Sequence, residues 1–202
     1  MLDNALTDFV SLFVILDPIG TVPIYLSVTG ESEPMLVRRI AREAVLIAGG
    51  VLLGFLVLGQ ILLHAMHVSM DSFQVAGGIV LFLFAMTMVF GIEHSGASHM
   101  NPRHNPAVFP LAMPAIAGPG PILTVVVLTD NDRHEYTQQA QTACVLLVVL
   151  LLQWILLRLA EPIQRRLGHG GTNILSRVMG LILAGVSVET VVAGIRGMMK
   201  HG

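Results

Sequence analysis

The chain has 202 residues, of which 54% are hydrophobic and only 12% charged, with 11 Lys and Arg against 13 Asp and Glu for a net charge of −2. A soluble domain carries about 25% charged residues, so this composition excludes a soluble enzyme, a nucleic-acid binder and a disordered protein. The near balance of charge implies no polyanionic partner. The opening Met1-Leu2-Asp3-Asn4 is acidic and lacks the basic flank of a signal peptide, so the first apolar segment is predicted to be retained.

A membrane span needs about 20 mostly apolar residues to cross a hydrocarbon core of about 30 Å. Six segments qualify. The first, 7–29, carries Asp17-Pro18-Ile19-Gly20-Thr21-Val22-Pro23-Ile24. The second, 42–63, runs from Ala44 to Leu63 with Gln60 as its one clearly polar side chain. The third, 73–92, opens with Gln74-Val75-Ala76-Gly77-Gly78-Ile79. The fourth, 107–129, holds Pro110, Pro114, Pro119 and Pro121, with Gly118 and Gly120 between the last three. The fifth, 140–160, contains the lone Cys144, which rules out a disulfide framework or a cysteine-based metal cluster, and is broken by Gln153 beside Trp154. The sixth, 174–195, begins near Arg177 and contains Glu189.

Six spans leave no room for a globular domain outside the bilayer. Of the short connections, those bearing Arg38, Arg39, Arg42, Arg103, Arg158, Arg165, Arg166 and Arg177 lie on one side, and Arg133, Arg196 and Lys200 on the other. The positive-inside rule places the first group in the cytoplasm and both termini outside.

The two halves resemble each other. Pro18-x4-Pro23 with Gly20 between is matched by Pro114-x4-Pro119 with Gly118 between, and the start of the third span is matched by Arg177-Val178-Met179-Gly180-Leu181-Ile182. Each unit has three spans, an odd number, so the second copy enters from the opposite side. The expected fold is an all-α integral membrane protein of one transmembrane domain: repeat A at 1–92, a cytoplasmic loop at 93–106 and repeat B at 107–198. Inverted repeats of this kind are the architecture of secondary transporters.

Proline in a helix interior removes a backbone hydrogen bond and clashes with the preceding turn, at about 3 kcal/mol. Hydrocarbon offers no water to the freed groups, so such a break persists only where protein or a wet cavity surrounds it. Spans one and four are therefore expected to be discontinuous, with a substrate site between the breaks. Free amides and the positive dipole end of a half-helix suit a carboxylate, and freed carbonyls suit an ammonium. The candidate binding residues are Asp17, Pro18, Gly20, Thr21 and Pro23 in one break and Gly118, Pro119, Gly120, Pro121 and Thr124 in the other. Asp17 reads in two compatible ways: a coupling or ammonium-binding carboxylate, or an N-cap followed by Pro at the first helical position. Thr21 and Thr124 either contact substrate or bond back to nearby carbonyls. Glu189 is either a coupling carboxylate or a group near the outer boundary that reaches water.

None of the eight histidines lies in a span interior; His64-x2-His67 has no third ligand besides Asp71 and reads as a wet loop. The His94, His99, His104 loop is the one candidate for a membrane enzyme, without an evident catalytic geometry. Gly50-x3-Gly54, Gly77-Gly78 and Gly180-x3-Ala184 read as close helix-packing signals, and Met86, Met88 and Met113 as apolar filler. No nucleotide-binding or zinc-protease motif is present, and no cofactor or metal is called for.

The stretch from Asp17 to Ser27 resembles the first-span signature of the MarC family. Phe109-Pro110-Leu111-Ala112-Met113-Pro114 and Ala117-Gly118-Pro119-Gly120-Pro121-Ile122 resemble its fourth-span signature, and Arg177 to Ala184 resembles the opening of its last span. The resemblance covers nearly the whole chain. It implies a bacterial or archaeal protein of the cytoplasmic (inner) membrane. It also implies a secondary transporter of the SnatA type, carrying glycine, alanine and similar small neutral amino acids with proton coupling. Efflux of another small solute, a passive channel and a membrane-embedded enzyme are the alternatives. Where the family pattern often has Asn this chain has Asp17, and where it often has Gln this chain has Glu189; both add charge.

Overall fold

The computed structural model describes residues 2–30, 32–91, 105–130 and 136–201. Among these there is no strand. The elements are α1 (Leu2–Leu16), α2 (Thr21–Thr29), α3 (Pro34–Ala65), α4 (Met70–Phe90), a wide-turned segment π1 (Ala107–Ile116), α5 (Pro119–Leu128), α6 (Tyr136–Arg158) and α7 (Ala160–His201). Four helices are long and apolar enough to cross a membrane: Pro34–Ala65, Met70–Phe90, Thr137–Arg158 and Gly170–Lys200. Two bent pairs, Asn4–Leu16 with Thr21–Thr29 at 40° and Ala107–Ile116 with Pro119–Leu128 at 52°, raise the number to six if each pair crosses as one span. The loop at 93–104, with His94, His99, Arg103 and His104, and the segment with Arg133 and His134 lie outside the described residues.

Local chemistry sets the boundaries. α1 stops at Leu16 because Asp17 precedes Pro18, and the residue before proline is disfavoured in the α region. α3 opens with Pro34 in its first turn, where the missing N–H costs nothing. Ser69 caps α4 by accepting from the Ser72 N–H at 3.1 Å. At its other end Gly91 takes the left-handed conformation (φ 63°, ψ 30°) that glycine adopts without strain. α7 bends at Gly168 (φ 68°), which separates a short first stretch from the candidate span. Within π1, Phe109 and Met113 are extended, and each precedes a proline. The turns around them widen, so that the Ala117 N–H reaches back five residues to the Ala112 carbonyl at 2.8 Å.

Two apolar bodies result. One gathers Leu12 and Leu16 of α1, Tyr25 of α2, Leu52 of α3, Leu111 of π1 and Leu146 of α6. The other joins Leu81, Ala85 and Met88 of α4 to Met179, Leu183 and Ala184 of α7. Glycines permit the closeness of the second pair. A Cβ on Gly180 would lie 2.9 Å from the Met88 Cβ and 3.0 Å from the Ala85 carbonyl; one on Gly194 would lie 2.7 Å from the Asp71 carbonyl. Gly50-x3-Gly54 behaves otherwise than its spacing suggests. Nothing lies within 4 Å of a Cβ on either glycine, because it is neighbouring Gly49 that turns inward, toward Leu150.

The outward surface is apolar: Leu46 and Val57 are each 66% exposed and Leu83 and Leu181 each 60%. Water would penalise a surface this greasy, whereas lipid tails accept it. The helix contacts come in matched sets. α1 packs on α6 as π1 packs on α3; α2 packs on α7 as α5 packs on α4; α1 packs on α5 as α2 packs on π1.

Candidate functional site

The two bends meet. Between them lies a cavity walled by Ile15, Asp17, Gly20, Thr21 and Ile24 from the first bent pair and by Pro114, Ala115, Gly118, Pro119 and Pro121 from the second. α4 closes it with Leu81, Phe84 and Met88. The cavity therefore sits where the α4–α7 body abuts the rest of the bundle. Its free volume is about 10 Å³, room for about one water molecule.

Asp17 shapes the first bend. Its backbone is in the left-handed region (φ 46°), where Asp is tolerated better than most residues. Its Oδ1 accepts from the Gly20 N–H at 2.9 Å and so caps the turn at residues 18–20; the N-cap position of α2 itself is Gly20, three residues beyond the Asp expected there. Its Oδ2 is buried and has no hydrogen-bond partner, and the residue as a whole is 4% exposed. One oxygen of the carboxylate thus closes the turn that leads into α2, and the other is buried without a partner. Of the residues lining the cavity, Asp17 alone titrates.

The second helix of each bent pair starts after a buried glycine: Gly20 precedes α2 and Gly118 precedes α5. Neither has space for a larger residue. A Cβ on Gly20 would overlap the Asp17 carboxylate and lie 2.5 Å from the Met88 Cε, and a Cβ on Gly118 would overlap the Pro114 carbonyl oxygen.

The expectation of free amides at both half-helix starts needs correction. In α2 the Gly20 N–H is taken by Asp17 Oδ1, and the Thr21 N–H by the Asp17 carbonyl at 3.1 Å. In α5 the first turn is Pro119-Gly120-Pro121, in which only Gly120 carries an N–H. The site is therefore rich in acceptors and poor in donors, with the Asp17 carboxylate as its one charged group.

The remaining candidates divide. Gly20, Thr21, Gly118, Pro119 and Pro121 stand in the cavity wall with Asp17, whereas Pro18, Pro23, Gly120 and Thr124 do not. Both threonine hydroxyls bond to carbonyls four residues back: Thr21 Oγ1 to Asp17 and Thr124 Oγ1 to Gly120, each at 2.9 Å. Gly120 lies directly behind the wall, its Cβ position 2.6 Å from Leu81 Cδ1 and 3.3 Å from Ile15 Cγ2. Glu189 is exposed on α7, away from the cavity. Pro18 is buried, and Pro23 is half-buried one turn into α2.

Sequence reasoning missed the α4 wall. Leu81, Phe84 and Met88 recur at helical spacing, but from Val75 to Met86 every position of α4 is apolar, so the spacing does not stand out. It also missed the buried hydrogen bond from Gln60 Nε2 to Asp130 Oδ1, at 2.6 Å across 70 residues of chain.

The family described as MarC family integral membrane protein matches residues 2–199. A UPF0056 membrane protein of Aquifex aeolicus is 34% identical over 201 residues, covering 96% of this chain and 92% of its own length. The UPF0056 inner membrane protein YhgN of Escherichia coli K12 is 35% identical over 195 residues, covering 95% of each chain. A UPF0056 membrane protein of Methanocaldococcus jannaschii is also 35% identical, over 197 residues and 95% of each chain. No solved structure matches.

Proposed function

The chain belongs to the MarC family of integral membrane proteins, and we propose that it is a secondary transporter of small neutral amino acids in the inner membrane. The observation that carries this reading is the meeting of two bent helix pairs at a cavity holding a single buried carboxylate oxygen without a partner. That oxygen suits the ammonium of a zwitterion. The Gly120 N–H, the one donor in the first turn of α5, suits its carboxylate once the site opens. Solvation by water is replaced by these few fixed groups, and the apolar wall admits no charge beyond the two ends of the substrate.

The helices are arranged, in this reading, as two inverted repeats of three spans. In it α1–α2 corresponds to π1–α5, α3 to α6 and α4 to α7. The matched contact sets support this, since a two-fold axis in the membrane plane turns each contact into its counterpart. So do two hydrogen bonds, Asn105 Nδ2 to Glu43 Oε2 at 3.2 Å and Thr142 Oγ1 to Asp8 Oδ2 at 2.7 Å. Each joins the start of the first span in one half to the second span of the other half. In this reading the arrangement is a closed state of an alternating-access cycle, because a cavity of about 10 Å³ cannot hold even glycine. Protons are the proposed coupling ion and Asp17 their carrier, because it is the one titratable group in the wall; Glu189 lies outside it.

The test is uptake of labelled glycine and alanine into proteoliposomes with and without a pH gradient. Accumulation above empty vesicles, raised by the gradient, is expected. Absence of uptake in both conditions would sink the carrier reading, and uptake indifferent to the gradient would remove the proton.

A further inference from the structure

We propose that the row Leu81, Phe84 and Met88 on α4 sets the size of solute the site admits, with Met88 fixing the limit. The assignment rests on the carrier reading above. Three observations place Met88 at the decisive point. Its Cε and the free oxygen of Asp17 converge on the same spot, since a Cβ on Gly20 would run into both. A solute whose ammonium is held by that oxygen therefore meets the Met88 methyl beside it. Second, the base of Met88 is fixed: its Cβ lies 2.9 Å from the Cβ position of Gly180, so α7 pins it from behind. Third, the tip is the adjustable part, because methionine is unbranched and turns about three side-chain bonds. Leu81 is different. It is branched and wedged against the first turn of α5, with Cδ1 2.6 Å from the Cβ position of Gly120, so it serves as a fixed wall.

The sequence marks none of this, since Met88 there reads as filler in an apolar span. In the structure it is 7% exposed and belongs both to the α4–α7 cluster and to the cavity wall. The substrate class follows: zwitterions whose side chain is no larger than the space the Met88 tip can vacate, which favours glycine and alanine and disfavours branched side chains.

Each methylene added beyond an apolar pocket's capacity typically costs about tenfold or more in selection. The experiment measures kcat/KM for glycine, alanine, valine and leucine in proteoliposomes containing wild type, Met88→Ala or Met88→Leu. The ratio of leucine to glycine should rise about tenfold or more in Met88→Ala and less in Met88→Leu, which withdraws the terminal methyl at nearly constant volume. A panel of ligand-induced thermal shifts should show the same order. Met88→Leu decides the matter if Met88→Ala does not elute as a monodisperse protein. Unchanged ratios in a folded variant overturn the assignment while leaving the carrier intact. Equal loss of all four substrates overturns it too, by making Met88 a support of the site and not its size limit. Absence of amino acid transport by the wild type overturns the carrier reading and this assignment together.

Discussion

Asp17 is the residue on which the site turns, because its two oxygens do different things. Oδ1 receives the Gly20 N–H, and the buried Oδ2 receives nothing. The two roles separate by substitution. Asp17→Asn retains an acceptor for the cap and tolerates the left-handed backbone at φ 46°, yet it cannot be an anion. It should unfold within about 1 kcal/mol of wild type, since Asn and Asp are comparable caps. Its uptake of glycine should fall about tenfold or more, the value of a hydrogen bond to a charged group being about 1.5–3 kcal/mol. Asp17→Ala loses the bond to the Gly20 N–H as well, and with it the local hydrogen bonding that lets Asp tolerate a positive φ, so it should also lose about 1–2 kcal/mol of stability. Uptake and thermal unfolding measured on the same preparations check both. Full transport by Asp17→Asn would leave Asp17 a cap and nothing more.

Elements show what part of this protein could be read without coordinates. The spans were legible because about 20 apolar residues in a row have one common explanation. The bends were legible because prolines and glycines in apolar segments break helices whatever surrounds them. Helix faces were not. In water an inward face is apolar and an outward face polar, but lipid is as apolar as a core, so α4 shows no stripe that separates Leu81 and Met88 from exposed Leu83. The glycine patterns fared unevenly for the same reason: Gly180 meets α4, whereas Gly50 faces open space. This contrast is itself a prediction. Gly180→Leu must push α7 off Met88 and Ala85, which overpacking data put at about 1–3 kcal/mol. Because Met88 walls the cavity, transport should fall with it. Gly50→Leu should stay within about 0.5 kcal/mol of wild type. Thermal unfolding in detergent distinguishes them, and equal effects would mean that the α4–α7 contact is not the tight one.

If the protein is a carrier as proposed, one end of the bundle must be held shut while the other opens. Among the described residues, the end at which α3 and α5 finish has three cross-half hydrogen bonds, Gln60 to Asp130 at 2.6 Å, Thr142 to Asp8 at 2.7 Å and Thr129 Oγ1 to the Leu56 carbonyl at 3.4 Å. Gln60 and Asp130 are buried, 8% and 4% exposed. The opposite end has Asn105 to Glu43, which is exposed and longer at 3.2 Å. There α6 also carries Gln153, fully buried with neither amide atom bonded. A buried polar atom without a partner costs about 1–3 kcal/mol; the first end carries one, Gln60 Oε1, against both amide atoms of Gln153 here, so this end has more to gain by rearranging. Opening should therefore begin at the Gln153 end, and the Gln60–Asp130 bond should be what keeps the other end closed. Gln60→Leu removes a hydrogen bond to a carboxylate worth about 1.5–3 kcal/mol, a population shift of about tenfold or more. The probe is Thr21→Cys, in the cavity wall and 2% exposed, in a Cys144→Ser background that removes the exposed native thiol. With Gln60 present, an impermeant thiol reagent should label position 21 faster from the Gln153 end. With Gln60→Leu, labelling from the Gln60 end should rise about tenfold. Equal labelling from both ends in both backgrounds would show that the hydrogen bond braces the fold without gating access, and that closure depends on the α4 wall alone.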